Sequence, residues 1–131
     1  MKNRRKLARD VAIVGAGMSK FGMFRDKDSK DLFAEAFREM IASVDKGVDP
    51  KEIEALYLGN FSNDYFMRQA HWGPIISDLV GITPKPATRT EGACASVRLH
   101  SERVFLPSPP VFTIWSLSAV WRRCPNALPR K

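Results

Sequence analysis

Cys94 sits in Glu91-Gly92-Ala93-Cys94-Ala95-Ser96, where Gly92, Ala93, Ala95 and Ser96 leave open space around the sulfur. A bulky thioester could approach a thiol in such surroundings. A helix starting at the cysteine would offer it free backbone N–H groups that favour a thiolate. A strand-to-helix turn is also how α/β enzymes expose a nucleophile. The same residue reads equally well as a small buried hydrophobe, and on the residues alone both readings stand.

The other chemically suggestive residues carry less. Gly15-x-Gly17 has the opening spacing of a dinucleotide-binding loop, but the third glycine position holds Lys20 and Gly22 is out of register. The following helix also begins too late to aim its N-terminus at a pyrophosphate. A glycine turn ending a strand is the better account. Asn60, Asn63 and Asp64 lie in "GNFSNDYF", which has neither metal nor acid–base spacing and reads as a turn. Cys94 and Cys124 have no ligand-like spacing to His71 or His100, so a metal site has no support. A Cys94–Cys124 disulfide is not expected without an export signal.

The elements that must position Cys94 alternate. "DVAIVGAG" (Asp10–Gly17) reads as a buried strand stopped by two glycines. Ser29 can cap the next helix, with Asp31 in its first turn. Leu32, Phe33, Ala36, Phe37, Met40, Ile41 and Val44 share one helical face, and Gly47 and Pro50 end it. "ALYLGN" (Ala55–Asn60) is a second strand. "AHWGPIISDLVGI" is a shorter helix closed by Gly81, and "KPATRTEG" is a third extended segment. Strand, helix, strand, helix, strand predicts a layered α/β fold. Its chemistry gathers at the carboxyl ends of strands, where Cys94 stands.

The chain of 131 residues allows one modest domain, with 44% hydrophobic and 27% charged residues. The opening "MKNRRKLARDVAIVGAGM" imitates a signal peptide, but Asp10 interrupts it and Lys20 follows at once. No apolar run is long enough to cross a bilayer. The expectation is a cytoplasmic protein with no membrane partner. The net charge of +7 raises nucleic-acid binding. Residues 97–131 hold six cations against Glu102, a net +5, leaving only +2 for the first 96 residues. The basic opening lacks interleaved aromatics, so no nucleic-acid partner is expected.

"VAIVGAGMSKFG", "EALYLGN" and "TRTEGACAS", in this order, resemble the start of the thiolase family, most closely its archaeal and sterol-carrier-like acetyl-CoA acetyltransferase branch. The likeness runs from Val11 to Ser96. It implies an incomplete thiolase-like N-terminal domain over residues 1–96, a layered α/β/α arrangement with a mixed sheet. It implies acyl-CoA acyltransfer, a Claisen-type formation or cleavage of 3-ketoacyl-CoA, with Cys94 as the catalytic residue that forms the thioester. The backbone N–H of Cys94 would help hold the developing oxyanion. Coenzyme A thioesters would be substrates, with no bound cofactor and no metal. Partners would be further copies of the chain or subunits of a thiolase complex. The family's second cysteine and activating histidines lie in its second half, and no role passes to Cys124, His71 or His100. Catalysis by this chain itself is therefore expected to be negligible. The alternative is a non-catalytic thiolase-like module that docks on partner subunits.

After Ser96 the family pattern stops, and Pro107, Pro109 and Pro110 break the chain. Residues 97–131 read as an irregular, out-of-frame tail. Read from the third nucleotide of each codon, Pro107–Pro125 permits "IASGVYDLVLVGGVEKMS": a helix end, a glycine stop, a buried strand and a glycine turn, as the thiolase pattern has there. A frameshift at about Ser96 or Val97 is the implied origin.

Overall fold

The computed structural model describes residues 12–99 and the backbone of the strand at 113–117. Among the described residues the elements follow in the order α1 (Ser29–Ala42), β1 (Ala55–Gly59), α2 (Asn63–Met67), α3 (Trp72–Leu79), β2 (Ala87–Thr90) and β3 (Thr113–Leu117). Short 3-10 turns occupy Pro50–Glu52 and Ala93–Ala95. All strand pairs are parallel, in the order β2-β1-β3. Leu56 faces Ala87 on one side and Ile114 on the other.

β1 is central, and its composition shows why. Leu56 and Leu58 point to one face, Ala55 and Gly59 to the other, and all four are buried. A parallel strand covered on both faces needs such a continuous apolar run. Leu56 and Leu58 join Phe37, Ile53, Trp72, Ile76, Val80 and Ile82 in one core. α3 lies against β1 and β2, and α1 against α3. Each fully buried aliphatic side chain contributes about 1.5–3 kcal/mol. Gly81, at φ +75°, takes the left-handed conformation that turns the chain after α3.

Several sequence expectations are corrected in detail. Asp28, not Ser29, caps α1: its carboxylate accepts from the backbone N–H groups of Lys30 and Asp31, and Asp31 returns a bond to the Asp28 N–H. That reciprocal box outcompetes the neighbouring hydroxyl. α1 ends at Ala42, before Gly47, because Ser43 caps it and its Oγ donates to the Met40 carbonyl. The turn expected at 60–64 instead contains the one-and-a-half-turn helix α2.

The largest difference is at the start. Asp10 and Val11 lie outside the described residues, and Ala12–Gly17 forms no strand. Ile13 is 89% exposed. A buried strand needs a neighbour's backbone to hydrogen-bond, and this segment pairs with none of the three strands. It lies along α1 instead, its Ala16 N–H on Ser43 Oγ (3.0 Å) and its Met18 N–H on Glu39 Oε2 (3.0 Å). Gly17 makes this possible: a Cβ there would fall 2.2 Å from the Ala36 carbonyl oxygen.

Most of residues 97–131, expected to form an irregular tail, lie outside the described residues. Thr113–Leu117, rich in β-branched and aromatic residues, pairs in register with the whole of β1. Among the described residues no helix is long and apolar enough to cross a membrane.

Candidate active site

β1 and β2 end side by side, Gly59 opposite Thr90, and the Asn60 N–H donates to the Thr90 carbonyl (3.1 Å). Four residues beyond Thr90 comes Cys94, a free and exposed thiol. Cys94 thus stands past the carboxyl end of a parallel strand. Exposure decides against the small-buried-hydrophobe reading.

The turn that holds Cys94 differs from the α-helical start considered above. Ala93–Ala95 is a single 3-10 turn, Ser96 takes α-helical backbone angles (φ −50°, ψ −42°), and an α-helix begins at Arg98. Ala93 takes φ +48°, uncommon for a residue with a Cβ and costing on the order of 1 kcal/mol. Ser96 holds this shape. Its side chain is buried; Oγ donates to the Ala93 carbonyl (2.7 Å) and accepts from the Gly92 N–H (2.9 Å). Thr90 Oγ1 donates to the Ser96 carbonyl (3.0 Å), joining the far end of the turn to β2. Gly59 permits the close approach, since a Cβ there would stand 2.8 Å from Val97 Cα and N.

A second polar cluster flanks the turn. Arg89 on β2 is 15% exposed at its side chain, and its Nη1 bonds Asp64 of α2 and donates to the Ala70 carbonyl (3.2 Å). Its Nη2 donates to Glu91 Oε2 (2.8 Å). Asn63, 6% exposed, accepts from Ser29 Oγ (3.3 Å) and links α2 to the start of α1. Sequence reasoning noticed Asn60, Asn63 and Asp64 only as a turn, took Ser96 only as a small neighbour of the sulfur, and gave Arg89 no role. Ser96 bonds within its own turn, whereas Asp64 and Ala70 lie 25 and 19 residues from Arg89 and reach it only once β1 pairs with β2. His71 lies exposed at the N-cap of α3, away from any bond to Cys94. His100 and Cys124 lie outside the described residues.

No protein-family model matches the chain. Two archaeal proteins named acetyl-CoA acetyltransferase are similar to it. That of Methanothermobacter thermautotrophicus is 42% identical over 88 residues, 67% of this chain but 22% of the relative. That of Methanocaldococcus jannaschii is 40% identical over 98 residues, 75% of this chain but 24% of the relative. Together with the α/β core and the Cys94 turn, these relatives support a thiolase-family fragment, one that spans less than a quarter of the archaeal acetyl-CoA acetyltransferases it matches.

Proposed function

We propose that this chain carries the acyl-accepting part of an acyl-CoA acyltransferase, with Cys94 as the nucleophile. The Cys94 sulfur attacks the thioester carbonyl, the bond to the coenzyme A sulfur breaks, and that thiolate leaves with a proton from solvent. The carrying observation is the exposed sulfur on a Ser96-fixed turn at the carboxyl end of β2. The Claisen step needs a base at the α carbon of a second acyl-CoA, and none stands beside Cys94 among the described residues. The chain by itself stops at the acyl-enzyme. Coenzyme A thioesters are the substrates in this reading, and the cytoplasm is the compartment.

Incubation with acetyl-CoA followed by intact-mass and peptide analysis tests it. One acetyl group should appear, on Cys94, and be absent from Cys94→Ala while persisting in Cys124→Ala. Acetylation confined to other residues, with Cys94 free to alkylate, rules the reading out.

The frameshift belongs to the same proposal. β3 covers the residues whose overlapping codons permit "DLVLV" in the alternate frame, so a strand falls at one place in either reading. The coding nucleotides check it: stops within the alternate frame, or a different string, sink the idea.

A second reading is favoured by β3 itself. The frame as translated supplies a strand that completes a three-stranded sheet, as a self-standing docking module would require. Stable capture of thiolase subunits without Cys94 acetylation supports that module instead.

A further inference from the structure

Arg89 stands between two carboxylates at the end of the strand that leads to Cys94. Asp64 and Glu91 are half-exposed, their side chains 46% and 50% accessible, whereas Arg89 is largely enclosed. The guanidinium therefore spends its charge on them, and its third attachment, the Ala70 carbonyl, fixes its plane. Its Nε is buried without a partner, so the fork is held through its two terminal nitrogens. Glu91 and Cys94 are three positions apart, which limits their Cα atoms to about 11 Å. At that range in low salt an unbalanced charge is felt at the sulfur.

We infer that Arg89 keeps the approach to Cys94 open to an anionic acyl donor, by neutralising Asp64 and Glu91 and holding both at the end of β2. The inference rests on the reading of Cys94 as acyl acceptor, because coenzyme A thioesters carry several phosphate charges. Arg89 is a positioning residue in this account. With it, the cluster carries one net negative charge; without it, two. Arg98, four residues past Cys94, contributes the same cation in every variant considered. Lysine at position 89 would preserve the charge but not the planar fork.

The test compares alkylation of Cys94 in the full chain by iodoacetate, an anion, and by iodoacetamide, which is neutral. The readout is the ratio of the two rate constants at about 10 mM salt, where screening is weak. Arg89→Met should lower the ratio about twofold, the effect of one unit charge at roughly 10 Å in water. Asp64→Asn and Glu91→Gln should each raise it about twofold, and Arg89→Lys should leave it near the wild-type value. At about 1 M salt the differences should vanish. A purely structural role would change both rates together and leave the ratio fixed, which overturns the inference. If Arg89→Met fails to fold, the two carboxylate variants decide by the same sign. The ratio needs no acyl transfer. A shifted ratio with no acetylation by acetyl-CoA loses the acyl-acceptor reading and keeps the clasp; acetylation with a fixed ratio does the reverse.

Discussion

At the scale of single residues, the Cys94 turn depends on Ser96 more than on the cysteine it presents. The Ser96 hydroxyl is both donor and acceptor within a turn that also holds Ala93 at positive φ. Ser96→Ala leaves the Gly92 N–H and one Ala93 lone pair without that partner, and should destabilise the chain by about 1–3 kcal/mol in urea unfolding. A loss below that of an exposed serine replaced by alanine contradicts this role. Cys94 was legible in the sequence because small neighbours on both sides imply access. Ser96 was not: a serine in a run of small residues carries no mark of its bonds until the turn closes.

Among the elements, α1 offers the sharpest pH test. Partial burial pushes the Asp28 carboxyl up, but the backbone N–H groups of Asp31 and Lys30 outweigh it and hold the group below its ordinary value of 3.8. A carboxyl depressed in the folded state stabilises it above the ordinary value, and that stabilisation is lost as pH falls through the folded value. Asp28→Asn keeps a capping oxygen, so its unfolding free energy should lie close to wild type at neutral pH and fall less steeply below about pH 4. Asp28→Ala should lose about 1 kcal/mol at neutral pH. Equal acid slopes for wild type and Asp28→Asn would show that the cap does not titrate. The sequence located α1 from its apolar face but chose the wrong cap, since Asp28 and Ser29 are both good candidates. Only the reciprocal bond from Asp31 separates them.

For the whole molecule, stability rests on β1 and what covers it. Leu56, fully buried between α3 and the sheet, should cost about 2–5 kcal/mol when replaced by alanine, read from the denaturation midpoint. Ile13, Met18, Phe21 and Met23 lie exposed along the opening segment. Apolar surface of that kind promotes self-association. Ile13→Lys should reduce aggregation in light scattering and leave the unfolding midpoint within about 0.5 kcal/mol of wild type. A midpoint shift of several kcal/mol would mean that Ile13 is buried in solution.

By itself the sequence determined that a helix opens near Ser29, that a strand begins at Ala55, that an extended segment runs through Ala87–Thr90, and that the cysteine lies beyond the last of them. Those are local properties: apolar period, capping chemistry and small-residue runs act within a few neighbours. The tertiary structure alone decided that Ala12–Gly17 lies along α1 while Thr113–Leu117 joins β1. A β-rich run becomes a strand only when another strand's backbone accepts it, and which segment gains that edge depends on the packing of the entire chain. The same holds for Arg89, whose partners lie 25, 19 and 2 residues away and meet only after β1 and β2 pair.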